Sequence, residues 1–186
     1  MHDKKEADTG GMSELYRFLA QTMRYPAPSW MGREFLGSFF QIAEKIPQMP
    51  DCKPCMALFY EEEGWLEKLR TEYTRLFINA HPHVIAPPYG AIYLDSDIGG
   101  QTRFMEETSR FYQRKGFELI DQERPDWLVH ELEFMALLAA EDQAGLEAFL
   151  AGYFRPWFPR FREKVATQTS HPYFVLANHM IDFFTV

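Results

Sequence analysis

From Asn79 to Gly100 the chain carries Pro82, Pro87, Pro88, Gly90, Gly99 and Gly100. No helix persists through such a run, because proline removes a backbone donor and its ring clashes with the preceding turn. A long connector with no secondary structure of its own is uncommon in a compact domain and is often functional. On both sides of it, apolar residues recur at helical spacing. Any fold for this chain must join helices through that irregular segment.

The helical pattern divides into pieces with recognisable ends. Ser13 and Glu14 start a first helix, with Leu15, Phe18, Leu19 and Met23 on one face and Pro26 and Pro28 beyond it. Ser29 caps a second, which holds Phe35, Leu36, Phe39, Phe40 and Ile42. Pro47, Pro50 and Pro54 form a stiff connector. A third stretch begins near Met56, breaks at Gly64 and resumes from Trp65 to Phe77. Beyond the long connector, a helix from Thr102 stops at Gly116, a suitable position for a left-handed residue. Asp126 caps the next helix, which runs to about Glu141. Three more follow, over Leu146 to Phe154, Arg160 to Thr167 and Pro172 to Phe184. No strand alternation and no internal repeat is found. The expectation is an all-α, single-domain bundle of roughly eight or more helices. Residues 1–12 are expected to be a disordered N-terminus and 13–186 the helical domain.

With 186 residues, 46% of them hydrophobic, the chain has enough core to fold without metal or disulfide. Its formal net charge of −8 argues against nucleic acid and anionic lipid, which demand dense Lys and Arg, and suits a basic partner. The longest apolar run, Phe134 to Ala140, is far shorter than the ~20 residues of a membrane span, so no stable membrane insertion is expected. The charged start, Met1 to Glu6, is unlike a secretory signal, and two cysteines make no disulfide framework. The cytoplasm is the expected compartment.

Dedicated phosphate loops and nucleophile elbows are absent, so no catalytic residue is expected. Cys52 and Cys55 with His81 and His83 offer four zinc-type ligands, but they lie far apart in separate proline-rich connectors. Loop thiols and loop imidazoles are the simpler reading, and no metal is assigned. His130, Glu131 and Glu133 fall within one helical turn. A di-iron bundle needs a second such set, which is missing, so a solvated or capping role is expected for them. Tyr73, Phe77, Tyr89, Tyr93, Phe104, Phe111 and Tyr112 read first as core. Tyr89 and Tyr93 sit in or beside the proline-rich connector, where aromatics and prolines together make a docking platform for an apolar peptide.

Four sequence blocks occur in order. They are Glu72-Tyr73-Thr74-Arg75-Leu76-Phe77 with Ala86-Pro87-Pro88-Tyr89-Gly90-Ala91-Ile92-Tyr93-Leu94-Asp95, then Arg124-Pro125-Asp126-Trp127-Leu128 leading into Glu131-Leu132-Glu133-Phe134-Met135, then Tyr153-Phe154-Arg155-Pro156-Trp157, then His171-Pro172-Tyr173-Phe174. Across residues 13 to 184 the chain resembles the TorD/DmsD/NarJ-like family of redox-enzyme maturation chaperones, closest to the dimethyl-sulfoxide-reductase branch.

The resemblance implies an all-helical cytoplasmic binding protein rather than an enzyme. Its partner would be the catalytic subunit of a molybdopterin-dependent oxidoreductase, recognised through an N-terminal leader that is often of the twin-arginine type. The leader would be held during cofactor insertion and proofreading. The molybdopterin would travel with the client, and this chain would need no cofactor of its own. The alternatives are a weak guanine-nucleotide hydrolase, since such binding is associated with some members, and the Cys/His metal module above. Relatives include monomers and helix-swapped dimers, and the connectors Pro82 to Gly100 and Phe117 to Pro125 are candidate hinges. Carried over by position, the leader contacts would be Tyr73, Leu76, Phe77, Pro87, Pro88, Tyr89, Tyr93, Pro125, Asp126 and Trp127. Asp126 would present its carboxylate to a leader arginine. The family most often has His after that Asp. Trp127 stands there instead, keeping apolar area and one N–H donor but losing the ability to carry charge.

Overall fold

The computed structural model describes residues 3–80, 83–94, 97–120 and 123–186, with backbone alone over 3–9. Nine α-helices are found among the described residues, and no strand is. They are α1 (Asp3–Thr22), α2 (Arg33–Ala43), α3 (Lys53–Glu61), α4 (Trp65–Tyr73), α5 (Ile98–Arg114), α6 (Leu128–Glu141), α7 (Gln143–Phe149), α8 (Phe158–Gln168) and α9 (Pro172–Thr185). The all-α class is therefore as expected. Contacts gather into two compact units, one of 1–23 with 88–160 and one of 24–87 with 161–186.

In the first unit α1 lies along α6, and α6 meets α7. Helix α6 is apolar almost all round, as a helix covered on most sides must be. It buries Leu128, Val129, Leu132, Phe134, Met135, Ala136, Leu138 and Ala139. Phe134 is the hub of a ring cluster, with Tyr112 at 4.3 Å, Phe149 at 5.0 Å and Phe117 at 5.3 Å between centroids. Such pairs add roughly 0.5–1.5 kcal/mol each beyond the area they bury. Helix α5 ends as expected at Gly116, whose φ of 80° is left-handed. The Phe117 N–H donates to the Tyr112 carbonyl and the Gly116 N–H to the Gln113 carbonyl, which closes the last turn.

The second unit is built on the same ring packing. Tyr173 of α9 stacks on Phe39 of α2 at 5.0 Å and meets Phe59 of α3 edge-on at 5.8 Å. Gly64, at φ 69°, makes the expected break before α4. Helix α4 then passes into a π-turn over Thr74–Ile78, where the Asn79 N–H reaches back to the Thr74 carbonyl at 2.8 Å. The Ala86 N–H donates to the Leu76 carbonyl at 2.8 Å, so the connector is tied to that turn.

Several boundaries differ from the expectation. The first helix begins at Asp3 rather than Ser13 and passes through Gly10 and Gly11. Two glycines cost roughly 2 kcal/mol together but do not forbid a helix. Met1 and His2, the rest of the expected disordered stretch, lie outside the described residues. Helix α2 starts after Gly32 and not at Ser29, because the Met31 N–H closes a turn on the Ala27 carbonyl at 2.9 Å. Pro54 and Pro159 sit in the first turns of α3 and α8, where a missing N–H costs nothing. Helix α5 starts at Ile98 and α7 at Gln143. In both, an aspartate caps the N-terminus, Asp97 accepting from the Gly100 N–H and Asp142 from the Gly145 N–H, each at 2.8 Å.

Candidate functional site

Two distant segments of the first unit meet at the start of α6. The Leu128 N–H donates to the Pro88 carbonyl at 3.0 Å, and the Gly90 N–H to the Asp126 carbonyl at 2.8 Å. These bonds pair Tyr89 with Trp127 in an antiparallel bridge. A 3-10 turn over Gly90–Tyr93 follows directly. Gly90 is dictated by a close approach, since a Cβ there would stand 2.8 Å from Trp157 Nε1 and 2.9 Å from its Cδ1.

Asp126 corrects the expectation of a helix cap. The α6 cap position is Trp127, whose side chain makes no capping bond. Asp126 is 0% exposed and reaches across the bridge instead. Its Oδ2 accepts the Ala91 N–H at 2.9 Å and Arg124 Nη2 at 2.7 Å, and its Oδ1 accepts Arg124 Nε at 3.0 Å. A buried carboxylate must be matched in this way, because an unmatched one costs several kcal/mol. The Arg124 guanidinium, thus forked, lies 4.3 Å from the centre of the Tyr89 ring. Tyr112 donates its hydroxyl to the Pro125 carbonyl at 2.7 Å, fixing the approach to the pair.

Below this pair lies a second carboxyl. Glu131 is 0% exposed, and its Oε2 accepts the Trp157 indole N–H at 3.1 Å. Burial pushes its carboxyl well above the ordinary carboxylate range, the nearby Asp126 charge adds to that, and the indole N–H opposes it. The same causes favour the protonated form of Glu131 over the ionised one. His130, one residue earlier, is also buried. The solvated or capping role expected for His130, Glu131 and Glu133 does not hold for the first two, while Glu133 is partly exposed. Helix α6 is covered on nearly every side, so His130 and Glu131 turn inward with its apolar residues.

His130 faces the cleft edge. Its Nδ1 is 3.1 Å from the Arg124 carbonyl oxygen, its Nε2 is 2.9 Å from Glu123 Oε2, and its ring meets Trp127 edge-on at 4.5 Å. Tyr89, Glu123, Arg124, Trp127 and His130 line a cavity of about 250 Å³. A neighbouring cavity of about 220 Å³ shares Glu123 and includes Glu118 and Phe117. The arrangement offers two half-buried aromatic faces beside charged groups.

The ten expected contact residues divide between the units. Pro88, Tyr89, Tyr93, Pro125, Asp126 and Trp127 belong to the first, where Tyr93 stacks on Trp157 at 6.0 Å and its carbonyl accepts Arg160 Nη1 at 2.7 Å. Tyr73, Leu76, Phe77 and Pro87 belong to the second. Tyr73 and Phe77, each 5% exposed, pack on Phe174, and Phe77 also meets Phe161. The residues not foreseen in the cleft are Glu123, Arg124 and His130. The run Glu123-Arg124-Pro125-Asp126-Trp127, with opposite charges beside a proline and an aromatic, carried the signal.

Cys52 and Cys55 stand at the start of α3, Cys55 buried with its thiol pushed far above the ordinary range by that burial. His83 is exposed, and His81 lies outside the described residues. Among the described residues no group of three or more His, Cys, Asp and Glu is placed to hold a metal. Among them, too, no helix is long and apolar enough to cross a membrane.

With the bundle and its cleft established, comparison gives the family. The model for the nitrate reductase delta subunit matches residues 42–163, more than half of the chain. The chain belongs to that family, the NarJ/TorD-type chaperones which its sequence blocks resemble, and so to the redox-enzyme maturation chaperones. A crystal structure from Archaeoglobus fulgidus, of a protein assigned to redox enzyme maturation, matches with a TM-score of 0.59 at 24% identity. The match covers 92% of this chain and 93% of that one, and it speaks to the fold. No curated protein matches the chain.

Proposed function

We propose that this protein binds the N-terminal leader of a molybdopterin-dependent oxidoreductase's catalytic subunit, often a twin-arginine leader, and holds the subunit for cofactor insertion and proofreading. The leader's apolar stretch lies against Tyr89 and Trp127 in the first unit. The observation that most supports this is the cleft itself. Two family-like blocks far apart in sequence are bridged so that one aromatic from each lines the same half-buried cavity. Membership of the chaperone family supports the class of client.

In this reading Pro88, Pro125 and Asp126 fix the cleft, and Tyr93 backs it through Trp157. Tyr73, Leu76, Phe77 and Pro87 hold the helix end and connector of the second unit. The protein recognises and releases; it makes and breaks no bonds, and the molybdopterin stays with the client. Desolvated apolar contact supplies more of the affinity than the arginines do.

Calorimetry with an isolated twin-arginine leader peptide tests the proposal. Binding should be micromolar or tighter. Tyr89→Ala and Trp127→Ala should each weaken it by roughly 1–3 kcal/mol, the range for an aromatic anchor, with little change in melting temperature. Variants that melt earlier yet bind normally would make these rings structural and remove the cleft from the account.

A further inference from the structure

The cleft contains one construction twice: a nitrogen donor, an aromatic ring and a carboxylate. In the first copy Arg124 lies over Tyr89 and forks onto Asp126. In the second, His130 meets Trp127 edge-on and holds Glu123. The copies differ in how firmly they are closed. Asp126 is fully buried, and both of its oxygens are occupied. A cation from outside reaches it only by expelling Arg124.

Glu123 is open by comparison. Its side chain is 52% exposed, and the contact given for it is a single oxygen on His130 Nε2. That contact is an ion pair only while the imidazole carries both protons. The second nitrogen already faces the Arg124 carbonyl, an acceptor, so the ring satisfies both neighbours only in that doubly protonated form. Histidine is thus a replaceable partner for Glu123, and a guanidinium is a better one. It keeps its charge, offers a two-pronged fork to a carboxylate and lies flat on an aromatic face, as Arg124 does on Tyr89.

Resting on the leader-binding proposal, we infer that Glu123, and not Asp126, receives an arginine of the bound leader, taking the carboxylate from His130. The arginine lies against Trp127 while Asp126 and Arg124 stay paired. Glu123 and the Arg124 backbone carbonyl face His130, so its release leaves the Arg124–Asp126 pair in place. Glu118, lining the adjoining cavity, adds negative charge on the approach.

The experiment pairs Glu123→Gln and Asp126→Asn with two leader peptides, one carrying two arginines and one with both changed to glutamine. Glu123→Gln should weaken the arginine peptide roughly tenfold, about the loss of one charge-assisted fork at a half-exposed site, and should leave the glutamine peptide unchanged. Asp126→Asn should lower the melting temperature and weaken both peptides equally. An arginine preference that survives Glu123→Gln and vanishes in Asp126→Asn overturns the inference and leaves leader binding intact. Failure of both peptides to bind the unaltered protein overturns both readings.

Discussion

Tyr73 and Phe77 on one side, Tyr89 and Trp127 on the other, belong to the same kind of sequence block, yet the fold uses them oppositely. Tyr73 and Phe77 stand on a helix that passes into a π-turn, and their rings are enclosed by Phe174 and Phe161. Tyr89 and Trp127 stand on extended backbone, paired edge to edge, with their rings half-buried at a cavity. The backbone makes the difference. A helix covered by its neighbours turns such side chains inward, whereas a bridged loop lets a ring pack on one face and leave the other open. An aromatic in a family block is therefore a binding candidate only where the local backbone prevents its full enclosure.

The contrast breaks most visibly at Phe77. Phe77→Ala removes a ring packed on three others and should cost roughly 3–5 kcal/mol of stability, read from denaturant unfolding. Leader affinity of the protein that remains folded should change little. A normal stability for this variant would place Phe77 with the open rings.

Gly90→Ala probes the bridge from beneath. Its methyl group would press on the Trp157 indole, which is fully buried and bonded to Glu131, so neither can yield cheaply. A loss of roughly 1–3 kcal/mol is expected, with weakened leader binding, since Tyr89 follows the displaced backbone. Unchanged melting and binding would show that the indole moves aside freely.

The smallest effect belongs to Glu131, and it depends on pH. Its folded-state value is raised, so the stability it contributes is complete below the ordinary carboxylate value of 4.5 and is lost as pH rises from there. The unfolded chain ionises in that range while the folded chain holds its proton. Glu131→Gln cannot ionise and keeps an acceptor for Trp157. Relative to the unaltered protein, its melting temperature should gain a few degrees as pH rises above 4.5. A gap that stays constant with pH would mean that Glu131 is ionised in the fold.

Much of this was legible in the sequence. Helical spacing and the punctuation at Gly64, Gly116 and Pro172 located the elements, because those signals are local. The caps at Asp97 and Asp142 lie outside those signals, although each stands before a glycine-containing first turn. Asp126 has the composition of a cap and the place of one; its true partners, the Ala91 N–H and Arg124, depend on a pairing between Pro88 and Leu128 that no local pattern announces. His130 and Glu131 depart from expectation for a related reason. The apolar positions around them cover nearly every face of α6, and that breadth, rather than any single residue, is the sign that these two turn inward.

The central claim is that a leader lies across Tyr89 and Trp127. A leader peptide carrying a photoreactive phenylalanine in its apolar stretch tests it directly, with crosslinked residues read by mass spectrometry. The account predicts that the label falls on Tyr89, Trp127 or the 123–130 segment, and that excess unlabelled leader prevents it. Label that is competed away by leader but falls on surfaces distant from these residues would contradict it.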